Sequence, residues 1–445
     1  MKLYSDAIEK NKDLILSALD FIWAHPETGY RERMTSEYLA REFERLGYTL
    51  TYPDGITGFV TTVDTGREGP EVLVLGELDS VICFDHPECN KETGAVHSCG
   101  HSAQAAALLG IAAALREPGT LARLSGRIRL AAVPAEELIE IEYRKGLIKE
   151  GRIKYMGGKA EFLSRGLFDG VDMAMMIHTT TGDHSYVDAG RYVGCIPKKI
   201  TYKGLAAHAG TSPDQGINAL YAATLGLQAI NSVRETFTES EYIRVHPIVT
   251  SGGDIVNTIP DTVVIESYIR GISFDAIKRA NERVNRALIG AALSLGANVD
   301  IDDTPGYAPC CYDRSFAELA NEASHMILPD VECHVSERVS TGSSDMGDLT
   351  MIMPSIQPSM MGAVGIGHGH NYYISNPDLA VLGSAKWQLA ILHLLLSDGA
   401  RRAKDIIKGF TPTFSSKEEY LEYLECFKRS GNRITYTGSH ASVEL

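Results

Sequence analysis

The length of 445 residues, at about 150 residues per domain, predicts two or three domains rather than one core. Hydrophobic residues make up 44% of the chain and charged residues 22%, which is ordinary for a globular protein and excludes disorder of the whole chain. The 57 acidic and 42 basic residues give a formal charge of −15. This charge argues against nucleic acid as a partner, because binding it needs a basic face.

Residues 1–21 open the chain with a charged, amphipathic helical pattern. They lack the apolar core and the small-residue cleavage site of a signal peptide. No uninterrupted run of about 18 apolar residues occurs, so neither a transmembrane helix nor a membrane partner is expected. The eight cysteines show no framework spacing, which favours free thiols in a reducing compartment. We therefore expect a cytoplasmic location.

Strands and helices alternate through the next part of the chain. Residues 33–47 have helical spacing, and strand-like apolar runs follow: TGFVTTVD, EVLVLGELD, RIRLAAVPAEE and VDMAMMIHT. Helical patterns such as AQAAALLGIAAAL separate them. Buried strands alternating with helices predict an α/β fold with a doubly wound, mostly parallel sheet. Ligands of such sheets collect at the carboxyl ends of the strands, where this chain places its polar clusters.

A different order of elements begins at about residue 191. KKITYKG predicts a strand, INALYAATLGLQAINSVRETF a helix, IRVHPIVTSGG and TVVIESYIRGISF two strands, DAIKRANERVNRALIGAALSLG a helix and NVDIDDT a strand. This β-α-β-β-α-β order is typical of a small open-faced α+β sandwich. The earlier α/β pattern then resumes. We predict a discontinuous α/β domain, residues 1–190 and 306–445, with a second domain, 191–305, inserted into it.

Two clusters of candidate ligands follow predicted strands. In H-S-C-G-H, Cys99 and His101 can face one metal ion because Gly100 permits the turn between them; a merely buried cysteine is the alternative. In P-A-E-E, Glu136 and Glu137 end a strand and point in different directions. One can bind metal while the other takes a proton from water. Two glutamates that open an exposed helix are the alternative.

Three histidines complete the candidate set. His178 closes the strand VDMAMMI, where a hydrogen-bonded core histidine is the alternative. His368 and His370 lie in the stretch G-H-G-H-N, which could also be a flexible turn. Sulfur, imidazole and carboxylate together supply five ligands and a spare glutamate. Such a mixed set suits zinc and can hold manganese, cobalt or nickel. A purely structural zinc site would have no use for the spare carboxylate.

Further motifs extend over nearly the whole chain in a fixed order. They are H-P-E-T-G-Y near residue 25, G-E-L-D at 76–79, H-x-C-G-H, P-A-E-E, M-M-I-H, G-L-A-A-H-A-G-T-S-P-D-Q-G-I-N-A at 204–219, N-T-I-P-D at 257–261 and G-S-S-D-M-G-D. This ordered set resembles metallopeptidase family 20, in particular its aminoacylases, hippurate hydrolases, auxin-conjugate hydrolases and p-aminobenzoyl-glutamate hydrolases. The resemblance implies that the inserted domain is a ferredoxin-like lid through which the chain forms a homodimer.

The resemblance also implies a role for each candidate. Cys99 would bridge two divalent metal ions, either zinc or manganese, with cobalt or nickel as alternatives. Glu136 would be the general base and would later protonate the leaving amine. The remaining implied metal ligands are His101, Glu137, His178 and His368, with His370 as the substitute for His368.

Three residues of the inserted domain also receive roles from the resemblance. His208, in A-A-H-A, would reach across the dimer to stabilise the oxyanion of the neighbouring site, the alternative being a surface histidine beside a turn. Asn257 and Arg270 are candidates for binding the carboxylate of a small-molecule substrate, Arg270 through a bidentate pair. Structural hydrogen bonding is the alternative for both.

The predicted function is hydrolysis of the amide bond in a small N-acyl or N-aroyl amino acid, such as p-aminobenzoyl-glutamate, with release of the free amino acid. A dipeptidase or carboxypeptidase would use the same metals, since only the pocket differs. A non-catalytic metal-binding homologue is opposed by the retention of Glu136. The sequence departs from the family in two places. Ser102 replaces the usual aspartate, which family variants of the p-aminobenzoyl-glutamate hydrolase type also lack. Segments 80–96 and 138–158, near the expected site entrance, are unfamiliar and leave the identity of the substrate open.

Overall fold

The computed structural model describes residues 1–445, and the chain divides into two compact units. The first comprises Met1–Arg191, Cys310–Val339 and Asp345–Tyr420, and the second comprises Tyr192–Pro309, Ser340–Ser344 and Leu421–Leu445. The tail 421–445 thus lies in the second unit, whereas its sequence pattern placed it with the first domain. The physical reason is that Phe427 and Ile434 are buried in the apolar core of the second unit.

Both units contain helices and strands. The helices are α1 Lys2–Lys10, α2 Lys12–Ala24, α3 Arg33–Arg45, α4 His101–Leu115, α5 Ile141–Lys149, α6 Gly158–Ser164, α7 Ala219–Arg234, α8 Phe274–Ser294, α9 Arg314–Ile327, α10 Met346–Thr350, α11 Ser384–Leu396, α12 Arg401–Gly409 and α13 Lys417–Glu425. The strands are β1 Phe59–Asp64, β2 Glu71–Glu77, β3 Val81–Ile82, β4 Ala95–Val96, β5 Arg127–Val133, β6 Met173–Met175, β7 His178–Thr180, β8 Ser185–Asp188, β9 Arg191–Tyr192, β10 Gly194–Lys203, β11 Arg244–Val245, β12 Ile248–Ser251, β13 Thr262–Gly271, β14 Asn298–Asp303, β15 Cys310–Cys311, β16 Cys333–Ser336, β17 Val339–Ser340, β18 Ser355–Ile356, β19 Ser359–Met361, β20 Ala363–Val364, β21 Tyr373–Ile374, β22 Ile434–Thr437 and β23 His440–Val443.

The first unit is built on a five-stranded sheet in the order β1-β5-β2-β6-β18. The last four strands of this order are parallel, and β1 is antiparallel to β5 at one edge. The central strand β2 is buried along its whole length, as expected for a parallel sheet covered on both faces. A second sheet, β16-β8-β19-β7, mixes parallel and antiparallel pairs. The prediction of a mixed α/β fold with mostly parallel strands is confirmed.

Two apolar helices contribute to the core of the first unit. Every residue of α4 is buried, since its many alanines allow close packing on all sides. The helical stretch Asp378–Leu396 is long and apolar enough to cross a membrane by length and composition alone. Its most apolar window is 78% buried, and Trp387 and Leu392 are fully buried in the core. A buried core helix can have the same length and apolar composition as a membrane span. The stretch is therefore weak evidence for a membrane span.

The second unit contains an antiparallel sheet in the order β11-β13-β10-β14, with β12 also paired to β13. Strands β10 and β13 pair over their full length, from Gly194 opposite Gly271 to Lys203 opposite Thr262. Alternate residues of β13 are buried, and they pack with α7 and α8 in one apolar core. The predicted strand IRVHPIVTSGG forms two strands, because Pro247 between them has no N–H to donate.

Candidate metal centre

Polar residues gather at the carboxyl ends of three adjacent strands of the main sheet. Glu77 ends β2, the pair Glu136 and Glu137 follows β5, and His178 follows β6. Because the carboxyl ends of parallel strands meet at one edge of a sheet, these side chains lie together although they come from distant parts of the sequence.

The H-S-C-G-H turn brings a thiol and an imidazole to the same edge. Gly100 has φ +102° and precedes the first residue of α4, His101. A Cβ on Gly100 would lie 2.1 Å from Oγ1 of Thr179 and 2.5 Å from the hydroxyl of Tyr372. Both the backbone angle and the lack of space therefore require glycine here.

The five side chains predicted to bind metal form two groups that share one sulfur. Cys99, His101 and His178 have ligand atoms within 4.8 Å of one another, and so do Cys99, Glu137 and His368. Sγ of Cys99 lies 3.4 Å from Nε2 of His178. Nε2 of the half-exposed His368 lies 3.0 Å from Oε1 of Glu137. The alternative histidine, residue 370, belongs to neither group. A thiolate at the shared position could bridge two cations.

Hydrogen bonds to backbone carbonyls orient the imidazoles of His101 and His178. Nδ1 of His101 lies 2.9 Å from the carbonyl oxygen of Asp79, and Nδ1 of His178 lies 2.8 Å from that of Thr179. A carbonyl can only accept, so Nδ1 donates and, in the neutral ring, Nε2 keeps its lone pair. Nε2 of His101 is buried and makes no hydrogen bond of ordinary geometry. Carbonyl partners on the second nitrogen are typical of metal-binding histidines, so these residues fit divalent cations.

The charges of the ligand side chains compensate one another in the buried site. Burial alone would raise the pKa of Cys99, but the charges of His101 and His178 lower it to about 6. Burial would also raise the pKa of Glu137, but the charge and hydrogen bond of His368 lower it to about 2. The thiolate and the carboxylate are the forms that bind metal. The charged neighbouring histidines thus favour the thiolate of Cys99 and the carboxylate of Glu137.

Glu136 lies beside the two ligand groups. Its Oε2 is 3.9 Å from Nε2 of His101, and the two residues form a further close cluster with Glu137. Burial, followed by the negative charges of Glu77 and Glu137, raises the pKa of Glu136 well above its ordinary value. A carboxyl group in this environment can both accept and return a proton.

Buried polar groups that the sequence analysis missed hold the P-A-E-E turn in place. Ala135 has φ +58°, and its N–H donates to Oε1 of Glu32 over 2.8 Å. The N–H of Glu137 donates to Oδ2 of Asp79 over 2.8 Å, and its carbonyl accepts from Arg144. Asp79 carried a sequence signal, the G-E-L-D motif. No sequence motif pointed to Arg144, because an arginine in a charged segment resembles an exposed residue.

Both unfamiliar segments of the first unit lie at this site. Segment 80–96 forms a hairpin of β3 and β4, and Cys99 packs on its apolar cluster of Val81, Cys89 and Val96. Segment 138–158 contains α5, which carries Arg144. All eight cysteines of the chain are free thiols.

The second unit carries the other three predicted site residues. Nδ1 of His208 accepts hydrogen bonds from the N–H groups of Gly210, over 3.1 Å, and Thr211, over 3.0 Å. The proton of the neutral ring is therefore on Nε2, and the side chain is exposed. The N–H of Ala209 donates to the carbonyl of Asn257 over 2.9 Å. His208 and Asn257 thus lie on two paired loop segments.

Arg270 lies on β13 directly opposite Arg244 of β11. One of its terminal nitrogens donates to the carbonyl of Thr341 over 3.3 Å, and its Nε is buried without a hydrogen-bond partner. Like charges that face each other across two strands repel, so an anionic ligand would stabilise this pair.

A mostly parallel α/β sheet with sulfur, imidazole and carboxylate groups at its carboxyl edge is the framework of a metallohydrolase. The chain belongs to peptidase family M20/M25/M40, whose profile matches residues 73–392. It is thus a member of a family of metal-dependent hydrolases that act on amide bonds.

Among known proteins, the chain is 28% identical over 306 residues to one of the chains of p-aminobenzoyl-glutamate hydrolase from Escherichia coli (strain K12), and the match covers 67% of this chain and 59% of that protein. It is 26% identical over 347 residues to IAA-amino acid hydrolase ILR1-like 4 of Arabidopsis thaliana, and the match covers 75% of this chain and 73% of that protein. It is 27% identical over 317 residues to N-acetyl-L-cysteine deacetylase of Bacillus subtilis (strain 168), and the match covers 68% of this chain and 70% of that protein. The match therefore spans less than two thirds of the Escherichia coli relative.

Solved structures share the fold. The aminobenzoyl-glutamate utilization protein from Klebsiella pneumoniae matches with a TM-score of 0.64 and 20% identity, covering 87% of this chain and 97% of that chain. The YXEP protein of Bacillus subtilis, a dinuclear metal-binding peptidase of the M20 family, matches with a TM-score of 0.62 and 19% identity. This match covers 86% of this chain and 99% of that chain.

Proposed function

We propose that this protein hydrolyses the amide bond of a small N-acyl or N-aroyl amino acid with the help of two divalent metal ions. The observation that carries the proposal is the pair of ligand groups that share Sγ of Cys99, with Glu136 beside them. The relatives named for hydrolysis or deacetylation of amino-acid conjugates support it. The mixed ligand set suits zinc or manganese and can accept cobalt or nickel.

The side chains of the site have separate tasks in this reaction. Cys99, His101, Glu137, His178 and His368 would hold the metal ions. When bound, the ions would supply Lewis acidity toward water and the scissile carbonyl. Glu136 would take the proton of the attacking water at its carboxylate and return it to the nitrogen of the leaving amine.

The proposal places substrate recognition and oxyanion stabilisation on the second unit. The Nε2–H of His208 would donate to the developing oxyanion, a task suited to the tautomer that the two N–H donors at Nδ1 imply. Arg270 and Asn257 would bind the substrate carboxylate, which would relieve the repulsion between Arg270 and Arg244.

We further propose that the second unit is a ferredoxin-like lid that forms a homodimer, in which His208 serves the partner subunit's site. Every residue of β12 is exposed, including Ile248 at 61%. Ile255 and Val256, in the loop that follows, are 62% and 100% exposed. An open strand edge with exposed apolar side chains is suited to pairing with a second chain. The free cysteines support a reducing, cytoplasmic location as part of the proposal.

The test is release of free amine from a panel of N-acyl amino acids, p-aminobenzoyl-glutamate and dipeptides. The protein would be stripped of metal and then reloaded with zinc or manganese. We expect turnover of acylated or aroylated amino acids only after reloading. Turnover of dipeptides alone would replace the proposal with a dipeptidase, and binding of metal without turnover of any compound would refute the proposed substrate class.

A further inference from the structure

A buried lysine links three separate segments behind the ligand groups. Nζ of Lys159, on α6, lies 2.5 Å from Oε1 of Glu77 at the end of β2 and also donates to Oδ1 of Asp345, just before α10. The backbone N–H of Lys159 donates to Oδ2 of Asp345 over 3.0 Å. All three residues are 0% exposed. The lysine is therefore a fixed internal cation and has no access to solvent.

Lys159 forms ion pairs with two of the three neighbouring carboxyl groups and leaves Glu136 without one. Glu77, Asp345 and Glu136 have carboxylate oxygens within 4.8 Å of one another, but Nζ of Lys159 contacts only the first two. Burial would lower the pKa of Lys159, but the charges of Asp345 and Glu77 raise it above its ordinary value. Without this cation, two buried carboxylates would lose the lysine that balances their charge, which is strongly unfavourable.

Glu77 connects the lysine to the candidate metal site. Its second oxygen, Oε2, lies 3.2 Å from Nε2 of His101 and makes no hydrogen bond of ordinary geometry. The other nitrogen of His101 is already bonded to the carbonyl of Asp79. The imidazole of His101 is thus bonded to Asp79 at Nδ1, and the Lys159–Glu77 ion pair contacts its Nε2 side.

We propose that Lys159 is a positioning residue: by fixing Glu77 and Asp345, it sets the position of His101 and leaves Glu136 free to take the proton of the attacking water. The inference rests on the proposed function, because it takes His101 as a metal ligand and Glu136 as the general base. The competing explanation is that the Lys159 ion pairs only stabilise the fold.

The test uses a charge-balanced variant and a matched control. The double variant Glu77→Gln/Lys159→Met removes both ion pairs of Lys159, those with Glu77 and Asp345, and leaves no net change of charge. The control is Lys198→Met/Asp303→Asn, which removes a lysine–aspartate pair that is equally buried, at 0% exposure of both side chains, in the second unit. Zinc affinity is measured with a competing chelator, together with kcat, KM and the thermal midpoint.

We expect the first double variant to bind zinc about 10- to 100-fold more weakly, the range typical when a group that orients a metal ligand is removed. We expect a similar fall in kcat with KM within about twofold, because Lys159 and Glu77 orient the metal site without contacting substrate. The control should also lose thermal stability but keep wild-type zinc affinity and kcat. If the double variant fails to fold, Glu77→Gln alone, which leaves Lys159 paired with Asp345, should show the same loss of zinc affinity.

Wild-type zinc affinity and kcat in the folded variant would overturn the inference. Equal losses in the control would do the same, since they would trace the effect to general destabilisation. Failure of the proposed function has a different signature, because the wild-type protein itself would then bind no zinc or release no amine.

Discussion

Sγ of Cys99 lies 3.4 Å from Nε2 of His178, which is 79 positions later in the chain. The same sulfur also belongs to the group formed with Glu137 and His368. A single side chain is therefore common to both proposed metal positions, and its removal should have a larger effect than removal of any other ligand.

We expect Cys99→Ala to lose both metal ions and His178→Ala to lose mainly one. The reason is that Cys99 is in both groups whereas His178 is in one. The measurement is the zinc content per chain after dialysis, with the exposed Cys311→Ala as the control. Retention of two zinc ions by the Cys99 variant would contradict the bridging role.

Glu136→Gln should keep its metal ions and lose most of its turnover. Gln has nearly the same shape as Glu but cannot accept the proton, so kcat should fall by about 10²- to 10⁴-fold. Zinc content and kcat are measured on the same preparation, with the exposed Glu92→Gln as the control. Activity near that of the wild type would exclude Glu136 as the general base.

His208→Ala should lower kcat by about 10²- to 10³-fold, the usual effect of losing one donor to an oxyanion, without changing the zinc content. Mixed dimers of this variant with Glu136→Gln chains should recover activity, because one of the two sites would contain both an intact Glu136 and a His208 from the other chain. The absence of recovery in verified mixed dimers would count against action across the dimer.

Gly100→Ala should destabilise the protein by more than the strained backbone alone costs. Gly66 provides the matched control, since its φ is +71° and nothing lies within 4 Å of a Cβ built there. Gly66→Ala should cost about 1 kcal/mol, the usual penalty for alanine in this region of φ. Gly100→Ala adds overlap with Thr179 and Tyr372, so its free energy of unfolding should fall further, together with its zinc affinity. Equal losses in the two variants, measured by urea denaturation, would refute the steric argument.

The sequence alone determined the classes of side chain in the site and the fold that presents them. Alternation of buried strands with helices predicted the α/β architecture because a sheet covered on both faces must be apolar throughout. The candidate ligands His101, Glu137 and His178 were recognisable because each stands at the end of a predicted strand or the start of a helix. These are local features, and local patterns encode them.

Only the tertiary structure decided which of these groups meet and what supports them. Lys159 looks like an exposed helical residue in sequence, and its burial against Glu77 and Asp345 depends on contacts between distant segments. The position of residues 421–445 in the second unit depends on where Phe427 and Ile434 find an apolar surface. Of the two histidines in G-H-G-H-N, His368 is the one whose Nε2 lies 3.0 Å from Oε1 of Glu137. Burial, ion pairing and ligand geometry are properties of the assembled chain, and no local sequence pattern specifies them.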